Sequence, residues 1–391
     1  MLSAETISTI KSTVPLLEEY GQEITKIFYK LLFEANPQLK NIFNMSNQGN
    51  ASQSRALADA VLAYAANIDN LEVLLPAVNR IAAKHASIGV QSHHYPLVGA
   101  SLLQAIQQVL SLPEDHPALS AWGEAYQFLA QIFIDTESGL YSANEQTKGG
   151  WEGFRTFEIQ AINNESPNIQ SYILKASDGK AIQTFEAGQY VSVKVPSNEQ
   201  GYEQIRQYSL SNWSDNAQDS YRITVKNEAN GQVSNRLHQH KVGDELLLSP
   251  PQGQFTLNPS SKAHIFISSG VGITPLFAML KQAIDKGMNV QQLQFIECCR
   301  SSEDQIFKDE LRALSDEGKV SLKHAFTDSD NGDWAGRLNA TILGQWLTNK
   351  SANIYLCGSP VFMSAVKKLL NEIGFIDEQI HYEVFGPTTT L

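Results

Sequence analysis

The sequence predicts a multidomain chain with three architectures in series: an all-α domain, an antiparallel β-barrel, and an α/β domain on a doubly wound parallel sheet. Three observations predict it. The 391 residues exceed what one ordinary hydrophobic core organises. The apolar period changes from helical to alternating near residue 150. Beyond residue 261, short apolar strands alternate with helical segments.

Residues 1–140 carry helical apolar spacing in "ITKIFYKLLFEANPQL", "LADAVLAYAANI", "LLPAVNRIAAKHASI", "LVGASLLQAIQQVL" and "ALSAWGEAYQFLAQIFI". Residues 141–152, polar and ending in the paired glycines of "YSANEQTKGGWEG", read as a linker. Over 153–260 the period falls to two. Val191, Val193 and Val195 share a face of "QYVSVKV", as Tyr221, Ile223 and Val225 do in "YRITVKN", and glycines and prolines punctuate the gaps of a small antiparallel barrel. From 261 to 391 the strands "HIFISS", "LQFIECC" and "NIYLCG" alternate with the helices "PLFAMLKQAID", "FKDELRAL" and "PVFMSAVKKLLNEI", which implies a parallel sheet.

Composition narrows the function. A net charge of -12 disfavours nucleic acid and anionic membrane surfaces, both of which need a basic face. No apolar run is long enough to span a bilayer, and "MLSAETISTIKS" lacks the pattern of a secretory leader. Three cysteines, of which Cys298 and Cys299 are neighbours, build neither a disulfide framework nor a zinc spacing, so a reducing cytoplasm is expected.

Several short motifs carry chemistry. In "RIAAKHASIG", His85 shares a helix face with Val78, Ile81 and Ala82; taken alone, such a histidine is more often a satisfied core residue than a ligand. In "SSGVGITPLFAML", Gly270 and Gly272 follow a strand, Thr274 suits a helix cap and Pro275 a first turn. Amides freed there bind phosphate, although the full G-x-G-x-x-G fingerprint is absent and a tight turn reads the same way. "YLCGSP" ends a later strand on a second glycine turn. In "RQYSLS", Arg206 and Tyr208 share one face and Ser209 takes the other, which suits a cofactor needing an anion partner and a stacking surface, or an ordinary strand. "GQVSN" offers backbone amides and Ser234 as a diphosphate cradle. In the terminal "HYEVFGP", Phe385 is either a lid or the last core aromatic.

A barrel bearing "RQYSLS" followed by a nucleotide-type domain with "GVGITP" and "YEVFGP" resembles the ferredoxin reductase superfamily of flavoenzymes. With the preceding helical domain, which carries Phe43 in "NIFNMS" and His85, the whole chain resembles the flavohaemoglobins, the bacterial and fungal nitric oxide dioxygenases. The resemblance implies a globin domain with haem b over 1–140, the 141–152 linker, an FAD-binding barrel over 153–260 and an NAD(P)-binding domain over 261–391. It makes His85 the proximal iron ligand, with Phe43 also at the haem. It makes Tyr29 in "KIFYKLL" the distal tyrosine, a donor to bound dioxygen, with Gln53 and Leu57, four residues apart, as a polar contact and an apolar cover. Tyr95 and Glu137 match the proximal relay, in which a carboxylate accepts the second imidazole N–H and makes the ligand more electron-rich, and Lys84 is the ligand's neighbour. His93 and His94 in "QSHHYPLV" fit no ligand role and are expected to be exposed.

On the reductase side the resemblance assigns FAD to Tyr190, Arg206, Gln207, Tyr208 and Ser209. To these it adds Gly231, Gln232, Val233 and Ser234, and the terminal Glu383, Val384, Phe385, Gly386 and Pro387, with Phe385 over the isoalloxazine. It assigns the nucleotide to Gly270, Val271, Gly272, Ile273, Thr274 and Pro275, with Cys357 and Gly358. "CGSP" departs from the commoner family pattern, in which proline directly follows the glycine. Arg300 and Ser301, after "ECC", leave NADH and NADPH both open.

The implied activity is electron transfer from NAD(P)H through FAD to haem, with dioxygen and nitric oxide converted to nitrate. A monomer with small-molecule substrates and no obligatory protein partner is expected. The alternatives are a gas or redox sensor, which would lack a complete reductase or carry an output domain, and an NAD(P)H-dependent flavin or ferric reductase built on the same sheets.

Overall fold

The computed structural model describes residues 2–44, 52–196, 201–213 and 219–386. Helical spacing in the first part becomes α1 (Ala4–Ser12), α2 (Val14–Ala35), α3 (Ser52–Ala66), α4 (Leu75–Ile88), α5 (His94–Val109) and α6 (Pro117–Gln146). Local chemistry sets the ends. The Ser3 hydroxyl accepts the Thr6 N–H at 3.0 Å to open α1, and Gly89, at φ +81°, closes α4 one turn after His85. Helix α2 packs on α3 and α5, and α1 and α4 pack on α6. Their apolar stripes fuse into a core around Ile24, Phe28, Leu32, Ile106 and Trp122, with a smaller cluster of Val78, Ala82, Tyr95, Ala130 and Phe133 beside α4.

Residues 141–146, expected within the linker, continue α6. Their polar side chains have reasons to stay helical, because the Tyr141 hydroxyl donates to the Val90 carbonyl at 2.5 Å and Asn144 is buried. By contact density the chain divides into Met1–Gln146 with Lys194–Arg206, and Thr147–Val193 with Gln207–Leu391.

The alternating region forms β1 (Arg155–Ser166), β2 (Ile169–Ala176), β3 (Tyr190–Val195), β4 (Gln204–Ser209), β5 (Tyr221–Lys226) and β6 (Glu245–Leu248), in the order β4-β3-β6-β1-β2-β5. The β1–β2, β1–β6 and β2–β5 pairs are antiparallel. A bridge from Leu210, just past β4, to Ile223 of β5 joins the outer strands and closes the barrel. Helix α7 (Gln232–Leu237) follows β5.

The last part is a parallel sheet of β7 (His264–Ser269), β8 (Leu293–Cys299), β9 (Ser321–Phe326), β10 (Trp334–Ala335), β11 (Asn353–Cys357) and β12 (Ile380–Glu383), in the order β10-β9-β8-β7-β11-β12. Helices α8 (Ile273–Asp285), α9 (Lys308–Asp316), α10 (Ala340–Trp346) and α11 (Pro360–Glu372) connect the strands. Alternate residues serve opposite faces: Phe266, Phe295 and Tyr355 join α8, whereas Ile265, Ile267, Ile296, Ile354 and Leu356 join α10 and α11. After β7 the chain builds outward through β8 and β9, then returns to place β11 on the other side. The topological switch point therefore opens between the carboxyl ends of β7 and β11. Among the described residues no helix is long and apolar enough to cross a membrane.

One buried base in this sheet sets an acid limit. His264 is 3% exposed, its Nδ1 has no hydrogen-bond partner, and its ring lies 5.5 Å from Tyr355, which stacks on His381 at 5.0 Å. Burial, and then His381, push its imidazole down to about 4. The native state thus binds fewer protons than the unfolded one between about 6.5 and 4, and the stability present above that window is lost as pH falls through it. Full loss is worth about 3 kcal/mol. His264→Leu should shrink the gap between urea midpoints measured at neutral and mildly acidic pH; an unchanged gap would show that His264 does not set this limit.

Candidate functional site

The helical part encloses a cavity of about 330 Å³ whose lining includes Phe28, Tyr29, Phe43, Gln53, Leu57, His85, Val98 and Phe133. His85 sits in the last turn of α4, where the Gly89 cap ends the helix. Its Nδ1 lies 2.7 Å from Glu137 Oε1 and 3.2 Å from the Tyr95 hydroxyl, which itself donates to the same carboxylate oxygen at 2.5 Å. Burial first, and then the bond to Glu137, hold the Tyr95 hydroxyl far above its ordinary range, so it keeps its proton. With the Glu137 carboxyl 2% exposed and facing Nδ1, that nitrogen is engaged and Nε2 is the nitrogen left for a metal.

Among the described residues no group of three or more His, Cys, Asp or Glu is placed to hold a metal ion. An apolar cavity with one oriented imidazole fits haem, whose macrocycle would supply the other ligands of an ion at His85.

Spacing alone gave no sign of the residues that hold this arrangement. The Tyr126 hydroxyl donates to the Tyr95 carbonyl at 2.6 Å, and Gly99 makes room for that ring, since a Cβ there would lie 2.4 Å from it. The Phe133 ring lies 5.6 Å from His85.

Tyr29 and Phe43 also line the cavity, with ring centroids 6.0 Å apart, and Gln53 and Leu57 reach it from one face of α3. Lys84 is half-buried beside His85. His93 is exposed, but His94 is not: it lines the cavity and its Nδ1 accepts the Gln91 N–H at 2.9 Å, because the turn into α5 folds its ring inward.

In the barrel, β4 half-buries Arg206 and Tyr208, exposes Gln207 and buries Ser209. The Arg206 guanidinium donates to the Ile205 carbonyl at 2.8 Å, and Tyr190 is buried at the start of β3. Gly231 caps α7, whose Gln232 is exposed and Val233 buried. A Cβ at Gly231 would lie 2.2 Å from Ser234 Oγ, which accepts the Glu228 N–H at 3.2 Å, so this glycine lets the loop close on the serine.

At the switch point Gly270 has φ +53°, and a Cβ on Gly272 would lie 2.3 Å from the Cys357 carbonyl. The turn is thus pressed onto the end of β11, with its backbone at the mouth of the crevice, a cradle that fits a nucleotide phosphate. Val271 is half-buried, whereas Ile273 and Pro275 are buried in the first turn of α8. Thr274 does not cap that helix: it lies inside it and donates to the Val271 carbonyl at 2.8 Å, and Gly272 is the cap residue.

Cys357 is fully buried, and burial, then Glu383, push its thiol well up, so it is a packing residue rather than a nucleophile. A Cβ on Gly358 would lie 2.8 Å from the Phe362 ring. The extra residue of "CGSP" has a structural task, since the Ser359 hydroxyl accepts the Phe362 N–H at 3.2 Å and caps α11 with Pro360 in the first turn. Glu383 and Val384 are half-buried, Phe385 is 45% exposed, Gly386 has φ +137°, and Pro387 lies outside the described residues.

Comparison with known proteins joins these parts. Family models described as globin, oxidoreductase FAD-binding domain and oxidoreductase NAD-binding domain match residues 26–133, 156–257 and 266–368. The flavohemoprotein of Bacillus subtilis (strain 168) is 40% identical over 400 residues, covering 100% of this chain and 99% of its own. Flavohemoprotein A of Dictyostelium discoideum is 42% identical over 402 residues, with 100% of both chains covered. The crystal structure of the flavohemoglobin from Malassezia yamatoensis, with bound FAD and heme, has a TM-score of 0.86 at 27% identity and covers 98% of this chain and 100% of its own. The FAD/NAD-binding domain of the nitric oxide dioxygenase from Vibrio cholerae O1 biovar El Tor has a TM-score of 0.55 at 33% identity, over 60% of this chain and 99% of its own. With a histidine-bearing cavity, a closed barrel and a nucleotide crevice each in place along a full-length match, the chain belongs to the flavohemoprotein family.

Proposed function

We infer that the chain is an NAD(P)H-dependent nitric oxide dioxygenase, which turns nitric oxide and dioxygen into nitrate. One observation carries this reading: a single apolar cavity presents His85, tied through Nδ1 to a buried carboxylate, together with Tyr29 and Gln53, in a chain whose remaining length is a reductase. When bound, haem b, FAD and NAD(P)H would supply the redox chemistry, two-electron at the nicotinamide and one-electron at the iron.

The chain's own residues bind, orient and exclude. Glu137 fixes the His85 tautomer and orients Nε2, and Tyr95 donates a second hydrogen bond to the same carboxyl oxygen. Tyr29 supplies a hydroxyl donor from α2 and Gln53 an amide from α3, while Leu57 and Phe43 keep that end of the cavity apolar. Lys84 is assigned to the site as the neighbour of the ligand. Tyr190, Arg206, Gln207, Tyr208 and Ser209 would hold FAD with Gly231–Ser234 and the segment from Glu383 to Pro387, which carries the exposed Phe385. The turn from Gly270 to Pro275, with Cys357 and Gly358, receives NAD(P)H. We place the enzyme in the cytoplasm as a monomer; three free thiols suit a reducing compartment.

Three outcomes are expected. His85→Ala should lose the haem absorbance and keep the flavin absorbance; a full haem complement would mean that another residue is the ligand. Tyr29→Phe deletes one donor worth about 1.5–3 kcal/mol when its acceptor is charged. Dioxygen should then dissociate roughly 10- to 150-fold faster in stopped-flow measurements, and carbon monoxide should be affected less. An unchanged dioxygen off-rate would mean that Tyr29 serves the core alone.

The third concerns turnover. Given NAD(P)H and air, the protein should consume about two nitric oxide molecules per nicotinamide oxidised, with nitrate as product. Gly272→Val, which forces side-chain atoms into the Cys357 carbonyl, should leave haem and single-turnover nitrate intact when the protein is pre-reduced and abolish cycling. Nitrate from intact protein no greater than the single-turnover amount would overturn the dioxygenase reading.

A further inference from the structure

Polar side chains form one register row across the parallel sheet near its carboxyl ends: Cys357 beside Ser268, Ser268 beside Glu297, and Glu297 beside His324. Glu297 stands out, because it is a carboxyl 2% exposed on a face otherwise packed with Phe266, Phe277 and Phe295. Its Oε2 accepts from Gln305 Nε2 at 3.0 Å and its Oε1 accepts the Ile306 N–H at 3.1 Å, so both partners lie on the loop that leaves β8. The next residue, Phe307, is in the left-handed region at φ +56° and donates its N–H to Glu165 Oε2 at 3.3 Å. Consecutive amides are each held by a carboxylate, which keeps the strained turn into α9 in one shape. That loop leaves the carboxyl end of the strand next to β7, on the side of the crevice away from β11.

We propose that Glu297 is a positioning residue for the nicotinamide nucleotide: its ionised carboxylate holds loop 300–307 in the shape that borders the nucleotide crevice, and a proton on it releases the loop. This rests on the reading of the switch-point crevice as the NAD(P)H site. The sign follows from the donors. A carboxylate accepts from both N–H groups, whereas the protonated form carries a hydroxyl that faces a donor.

Burial pushes the carboxyl up to about 7, opposed by Gln305, the Ile306 N–H and Lys308 of α9. Of the other titratable groups around it, Lys308 opposes the rise, and burial favours the neutral form of the rest. His324 of β9, with Nε2 3.6 Å from the carboxylate and Asp333, Arg312, Lys308 and Lys323 around it, is pushed down by burial, and burial pushes the thiols of Cys298 and Cys299 up. With the Glu297 carboxyl pushed up to about 7, the two N–H donors of the loop are held above that pH and loosened below it.

The test is calorimetric titration of the full-length, haem- and FAD-loaded protein with NAD⁺, which has no group of its own titrating between about pH 6 and about pH 8.5. Wild-type protein should bind about tenfold more weakly at the acid end, with a midpoint near 7. Glu297→Gln, neutral throughout, should give a flat profile. Gln305→Met removes one donor to the carboxylate and leaves the carboxyl in place, so the midpoint should move to higher pH, which a merely structural role would not produce. A flat wild-type profile, a Glu297→Gln profile that keeps the wild-type slope, or an unmoved Gln305→Met midpoint overturns the inference and leaves the nucleotide site standing. Absence of NAD⁺ binding at every pH overturns both.

Discussion

A carboxylate out of water is tolerated only when its charge is met, and Glu137 has to meet that condition inside a helical core. His85 Nδ1 and the Tyr95 hydroxyl converge on the same oxygen, 2.7 and 2.5 Å away. Three helices are committed by that point: α4 must end at Gly89, α5 must turn Tyr95 inward, and α6 must pass beneath both. Tyr126 and Gly99 then hold Tyr95 by its backbone and by the space its neighbour needs. Leaving a buried polar group such as this unsatisfied costs about 1–3 kcal/mol, so the geometry that orients the imidazole is maintained by the stability of the domain itself.

The parallel sheet is governed by close approach rather than charge. Gly272 lies where a Cβ would meet the Cys357 carbonyl, and Gly358 where one would meet Phe362 and Ser269. Two strand ends and two helix starts are thereby drawn together, and the backbone amides of the turn reach the crevice without side chains in the way. Cys357, fully buried beneath Glu383, contributes shape to this arrangement and no nucleophile. The same constraint explains "CGSP": with Gly358 pressed against β7, the next residue is free to cap α11, and Ser359 does so.

What the sequence reveals divides along range. The change of period near residue 150, the alternation of Val191, Val193 and Val195, and the glycine turn after "HIFISS" are local patterns, and each element stands where its pattern lies. His85 was ambiguous by itself because Val78 and Ala82 define the same apolar face whether the ring fills a core or lines a cavity. The joint occurrence of the helical domain with the reductase motifs is what carries the proposal that His85 is the ligand. The illegible parts are long-range contacts. Nothing in "GASLLQ" announces that Gly99 yields space to Tyr126, and nothing in the polar "YSANEQ" announces that Tyr141 ties α6 to Val90. Glu297 depends on donors eight and nine residues onward, across a loop with no periodic signal.

Two histidines show which feature separates a cavity-lining imidazole from a core residue. His264 has an orphaned Nδ1 and deep burial, yet it stands among Phe266, Tyr355 and His381, so the low-cost response is to stay neutral and pack. His85 has its Nδ1 answered by a buried carboxylate, and its ring borders a cavity. An unpartnered nitrogen is therefore a poor marker, since apolar packing tolerates a neutral imidazole at small cost. A fixed tautomer is the better one: the buried acceptor that imposes it is itself costly, and that cost is offset when the opposite nitrogen has a metal to bind.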